Sequence, residues 1–147
     1  MKERVENTSG INFLFVGEER SQSARKKGYT WDNVPTEGAF CAKKLFTALR
    51  NAGIEPGDHS FTNILDDEGN PQEIHPDGKI VVAMGLKVQR ELTKREIPFI
   101  PIVHFAARGI WCRQEEYNRH IEESLKNISI LGDNLHKSGK YFLNDEV

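Results

Sequence analysis

The sequence predicts an α/β protein, a three-layer α/β/α arrangement built on a mostly parallel four-stranded sheet. Three observations lead there. Four short runs of strand length, three of them apolar, are spaced along the chain. Between them lie stretches whose apolar residues recur at helical spacing, and strands that alternate with helices pair in parallel. The first and third runs both end in glycine, at Gly17 and Gly85, the punctuation expected where a buried strand stops.

The elements follow in chain order. The polar opening stretch, residues 1–10, is expected to fray. Residues 11–16 read as a buried first strand. Residues 18–35 are polar, basic and without periodicity, and read as a loop; one this long in a small domain is usually functional or mobile. Thr36 can cap the next helix, in which Ala42, Leu45, Phe46 and Leu49 fall at helical spacing and Gly53 is the stop. Cys41 lies inside it beside apolar residues and reads as core. Residues 55–58 form a turn, residues 59–65 a second strand, and residues 66–78, rich in Asp, Gly and Pro, a loop. Residues 79–84 give the clearest strand signal. Residues 86–96 read as a helix with Val88 and Leu92 inward. Residues 98–103 form a fourth strand whose prolines suggest an edge or irregular position. Residues 113–126 form a helix with Tyr117, Ile121 and Leu125 on one face and Glu122 placed to pair with Lys126. Tyr141 and Phe142 are candidates to dock, and residues 144–147 are expected to fray.

With 147 residues the chain is one domain, residues 1–147, large enough for a single core. No apolar run approaches the roughly 20 residues that cross a bilayer, so no membrane partner is expected. Cys41 and Cys112 are far apart, which argues against a disulfide scaffold, excludes a four-cysteine metal site and points to a reducing, cytoplasmic setting. No pair of histidines has metalloprotease spacing, and the residues after Gly17 match neither a dinucleotide fingerprint nor a P-loop, so neither metal nor cofactor is expected. The formal net charge of −2 gives no overall basic balance. Any nucleic-acid surface must therefore come from local clusters, and two stand out: Arg20, Arg25, Lys26 and Lys27, and Arg108 with Arg113.

Open α/β sheets bind ligands outside the carboxyl ends of their strands. Three strands here deliver suggestive residues to that edge: Gly17-Glu18, Asn63 and His104. A carboxylate at Glu18 can activate water or stabilise a cation, and can equally cap a turn. Asn63 carries two donors and an acceptor, suited to reading a pyrimidine edge, though an asparagine at a strand end is more often structural. His104 can donate a hydrogen bond or carry charge near neutrality, and alone is more often structural. Tyr29, Trp31 and Phe40 could stack on a base; Phe40 reads equally as core, whereas Tyr29 and Trp31, in a polar loop, suit stacking better than a core. His59, His75, His120 and His136 read as surface or loop residues.

In this order the motifs resemble the uracil-DNA glycosylase superfamily. Leu14-Phe-Val-Gly-Glu18 resembles its LFVGEAPG motif, in the branch that carries glutamate there. Gly38 with Lys44-Leu45 resembles the start of its first helix, and Phe61-Thr-Asn-Ile64 its VTNVVK strand. Ile80-Val-Val-Ala-Met-Gly85 resembles its VIVALG strand, and Ile102-Val-His104 its HPS/HPA motif. The matches span roughly residues 11–125. The departures are Glu19-Arg-Ser in place of APG, His104-Phe-Ala in place of HPS, and an acidic Asp66-Asp67-Glu68 after the Asn63 strand.

The resemblance implies a glycosylase-like sheet and hydrolysis of the N-glycosidic bond of a uracil or modified pyrimidine flipped out of single- or double-stranded DNA, by a monomer. Asn63 would bond the base edge, with Gly17 beside it. His104 would polarise the O2 carbonyl, Glu18 would act on water or the sugar cation, and Tyr29 or Trp31 would stack. Ile110 or Trp111 would fill the gap left in the duplex. Two other functions fit the same residues: a non-catalytic module that binds nucleotide, DNA or protein, and a nucleoside or nucleotide N-glycosidase.

Overall fold

A computed structural model describes residues 11–20, 22–31, 33 and 42–125 of the chain. Four strands form one sheet: β1 (Phe13–Gly17), β2 (Ser60–Asn63), β3 (Ile80–Met84) and β4 (Ile100–Ile102). All three pairings are parallel, in the order β2-β1-β3-β4. The helices are α1 (Gln22–Lys27), α2 (Ala42–Asn51), α3 (Leu86–Lys94) and α4 (Gln114–Leu125), with single 3₁₀ turns at Pro56–Asp58 and Gly109–Cys112.

The three layers follow from the two-residue period of a strand. On β1, Phe13 and Phe15 face one side with Val82 and Met84 of β3, where they pack with Leu45, Phe46 and Leu49 of α2 and Tyr117, Ile121 and Leu125 of α4. Leu14 and Val16 face the other side with Val81 and Ala83, against Val88 and Leu92 of α3 and Ile64 and Ile74 from the crossover. Each inner strand is therefore apolar on both faces, as a strand covered by helices on both sides must be. Phe15, Val16, Val82 and Ala83 are fully buried.

The four strands and three main helices coincide with the sequence reading to within a few residues, and β4, with Pro101, is an edge strand as its prolines suggest. Three expectations are corrected. The 18–35 stretch is not all loop: it contains α1, whose six residues, QSARKK, lack the apolar stripe that makes a helix visible to periodicity. His59 is a half-buried packing residue, its Nδ1 accepting the Phe13 N–H at 3.1 Å with its ring against Phe13 and Phe15. His120 is likewise built into the fold, as described below, whereas His75 is exposed and pairs with Glu73. Thr36, Gly38, Phe40, Cys41, Lys126, His136, Tyr141, Phe142 and both termini lie outside the described residues.

Candidate functional site

The strand order reverses between β1 and β3, the position at which open α/β sheets form a crevice at their carboxyl edge. The strand ends there are nearly flush, with Gly17 opposite Asn63, Val16 opposite Ala83 and Met84 opposite Ile102. Strands lie about 4.8 Å apart, so Asn63 and His104, from the two edge strands, bracket roughly 14 Å of this edge at backbone level. Glu18 and Gly85 stand between them.

Asn63 and Gly17 form one unit. A Cβ on Gly17 would lie 2.9 Å from Asn63 Oδ1 and 3.4 Å from Met84 Cε, so the missing side chain is what lets the carboxamide lie over β1. The same Oδ1 accepts the Trp31 indole N–H at 3.2 Å. Trp31 is stacked on Phe61 at 4.8 Å between centroids, packed with the α2/α4 side of the core. Its ring is therefore part of the site's wall, and its stacking partner is a protein side chain. Tyr29 is half-buried, and its carbonyl accepts from Arg20.

His104 is set by two neighbours. Its Nδ1 accepts the Ala106 N–H at 2.9 Å, so the neutral ring carries its proton on Nε2. Burial holds its pKa below the usual histidine value, and the Glu18 carboxylate opposes that shift without cancelling it. The ring also lies against Gly85, where a Cβ would be 3.3 Å from His104 Cβ, and Gly85 has φ +98°, a backbone that favours glycine. The site thus presents a neutral imidazole as a hydrogen-bond donor. Glu18 is half-buried and paired with Lys87 of α3 at 3.1 Å, close to that helix's N-terminus. Neither Lys87 nor Gly85 was read from sequence as a site residue. The glycine carried a signal, since it ends β3 as Gly17 ends β1, and the lysine carried none.

The peptide just before His104 is held from α4. Tyr117 donates its hydroxyl to the Val103 carbonyl at 2.8 Å, and His120 Nε2 accepts the Val103 N–H at 2.9 Å. One turn of α4, positions i and i+3, thereby satisfies both backbone polar groups of Val103, the residue that continues an edge strand. Burial lowers the His120 pKa to about 4. The native ring must stay neutral to accept, whereas the unfolded chain protonates near 6.5. Stability from this group is complete above pH 6.5 and is lost as pH falls towards 4, by up to about 3 kcal/mol. The melting temperature should fall between pH 7 and pH 4.5, and His120→Gln, whose carbonyl can accept the same N–H, should flatten the slope. An unchanged slope would place the acid sensitivity in other groups.

The basic clusters separate by geometry. Arg20 is engaged by Asp67 through two nitrogens and donates to the Tyr29 carbonyl at 2.9 Å, so the acidic turn anchors the first loop; the same contact lowers the Asp67 pKa. Arg25 lies 3.6 Å from Glu19, while Lys26 and Lys27 are exposed at the end of α1. Arg108 and Arg113 are exposed and flank the Gly109–Cys112 turn, which Lys44 ties to α2 by donating to the Trp111 carbonyl. Within that turn Ile110 is 56% exposed, while Trp111 is half-buried beside His120. A separate open groove of about 390 Å³, lined by Gln72, Ile74, Glu91 and Arg95 among others, carries no comparable chemistry, because Arg95 pairs with Glu91 and donates to the Gln72 carbonyl.

No group of three or more potential metal ligands occurs among the described residues, and none of their helices is long and apolar enough to cross a membrane. No protein-family model matches the chain, and no curated protein matches it.

Proposed function

We propose that the carboxyl edge of the sheet is a nucleobase site and that the protein is a DNA glycosylase-like hydrolase of the uracil-DNA glycosylase superfamily, acting on a flipped uracil or modified pyrimidine. The observation that carries this reading is the delivery of Asn63, Glu18 and a neutral, Nε2-protonated His104 to one edge, on either side of the strand-order reversal. Breaking an N-glycosidic bond leaves positive charge on the sugar and negative charge on the base. A fixed donor such as His104 Nε2–H, aimed at the developing base anion, lowers that barrier by about 3 kcal/mol in comparable sites. Glu18 supplies the opposite charge for the sugar or holds the attacking water.

Ile110 rather than Trp111 suits the gap left in the duplex, being the exposed apolar side chain of its turn, and Arg108 and Arg113 beside it suit phosphates. Lys26 and Lys27 provide a second basic contact. Extruding a base costs a few kcal/mol, which these contacts and the pocket must offset.

A second reading, a base- or nucleotide-binding module without turnover, is favoured by the pairing of Glu18 with Lys87, which offsets the carboxylate's charge. One experiment separates the two. Purified protein is incubated with single- and double-stranded oligonucleotides bearing uracil or modified pyrimidines, and free base is sought by mass spectrometry. Release that falls at least tenfold in Asn63→Ala supports the glycosylase. Saturable binding without release supports the module, and release only from free nucleotides would make the protein a nucleotide N-glycosidase.

A further inference from the structure

We infer that Trp31 is a positioning residue that fixes which way the Asn63 carboxamide faces, so that the site selects a base presenting a carbonyl where its rival presents an amino group. This rests on the nucleobase reading above and adds to it the residue that sets selectivity.

The argument begins with the strand. Phe61 and Asn63 are two residues apart on β2, so their side chains emerge on the same face. Trp31 reaches both. Its ring stacks on Phe61 at 4.8 Å and 26°, with Phe46 of α2 6.4 Å away at 22°, and its Nε1–H reaches Asn63 Oδ1 at 3.2 Å. A stacked indole has little freedom to turn, and its nitrogen can only donate. The atom it meets must therefore be the carbonyl oxygen. A carboxamide turned the other way would set an NH₂ group against the indole N–H.

A second contact has the same sense. Oδ1 is the Asn63 atom that lies over Gly17, 2.9 Å from where a Cβ would be. The oxygen is thus fixed between the indole and β1. The backbone carbonyl of Asn63 is occupied as well, accepting from Gln72 Nε2 at 2.9 Å. What the residue offers a ligand is the Nδ2 group, with two donors, together with the second lone pair of Oδ1. Among the described residues no partner engages Nδ2.

A planar base whose edge carries a carbonyl next to an N–H complements that pair of groups. One whose edge carries an amino group next to a bare ring nitrogen opposes donor to donor and acceptor to acceptor. Uracil and cytosine differ in this way. Phenylalanine at position 31 preserves stacking on Phe61 and removes the N–H. The carboxamide is then free to turn over, and both bases find a complementary arrangement.

The test uses the full chain and two oligonucleotides identical except for a single uracil or cytosine, with affinity measured by fluorescence anisotropy. The wild-type protein should favour uracil, and Trp31→Phe should reduce that preference about tenfold, mainly by gaining affinity for cytosine. A purely structural role would weaken both bases together and leave their ratio unchanged. An unchanged ratio in a folded Trp31→Phe protein overturns the proposal. A second measurement does not depend on that variant: the indole N–H resonance of Trp31 should move upfield and exchange faster with solvent in Asn63→Ala. An indole signal insensitive to that substitution also overturns it. Wild-type protein that binds neither base refutes the nucleobase reading itself, and the selectivity inference with it. Binding with a preference for uracil that Trp31→Phe leaves intact refutes only the inference.

Discussion

Tyr117→Ala is expected to destabilise the protein by roughly 3–5 kcal/mol, the usual cost of truncating a fully buried aromatic side chain. The ring fills the interface of α4 with the sheet and shares a core with Phe13, Phe15, Leu45 and Ile102. The hydroxyl is a separate contribution. Burial raises the Tyr117 pKa, so the group stays protonated and donates to the Val103 carbonyl at all accessible pH. Tyr117→Phe keeps the ring and removes that donor from a buried acceptor, at about 1–2 kcal/mol. Urea denaturation of both variants checks the partition. If the proposed glycosylase activity is found, the phenylalanine variant should also lose it beyond what its stability loss explains, because Val103 carries His104. A Phe variant equal to wild type in both respects would show that α4 holds the β4 end by packing alone.

If the sheet edge binds a base as proposed, Gly17→Val should abolish that binding, by a hundredfold or more, while the fold survives. The position has an ordinary backbone and lies in a strand, where valine is favoured, so no conformational penalty arises. The conflict is with Asn63: a Cβ would come within 2.9 Å of its Oδ1, and two further methyl groups would compete with the carboxamide and Met84 Cε for the same space. Overpacking of this kind costs typically 1–3 kcal/mol, and the carboxamide, being the softer neighbour, is what moves. Gly17→Ala should show the same defect in milder form. Anisotropy titrations with a uracil-containing oligonucleotide, run beside thermal melts, check both. Full binding by the valine variant would mean that Asn63 does not contact the base from its observed position.

The sheet was legible because β1, β3 and β4 are compact apolar runs between polar or glycine-bearing boundaries, as burial demands, whereas β2, Ser-Phe-Thr-Asn and half-buried throughout, gave a weaker signal. Helix α1 was hidden because a six-residue helix covering no core has no stripe to detect. The convergence of Glu18, Asn63 and His104 could be read because parallel strands put all their carboxyl ends on one side. What could not be read is how those residues are held. Trp31 looked like a loop aromatic because its partner, Phe61, is thirty residues away in sequence and adjacent only after β2 pairs with β1. His120 looked like a surface residue because a histidine on a helix gives no sign that an edge strand ends beneath it. Arg20 looked free to meet phosphate because nothing local reveals that Asp67 will lie against it.

The capture of Val103 by Tyr117 and His120 also bears on how the molecule behaves in a crowded solution. A sheet edge with unpaired N–H and C=O groups is a template on which another chain can add a strand, the first step of aggregation. The β4 edge is blunted three ways: it is three residues long, Pro101 has no N–H to offer, and Val103 just beyond it donates and accepts inward. The contacts that steady His104 thus also keep this side of the sheet from growing, and a variant that frees Val103 should aggregate sooner on storage.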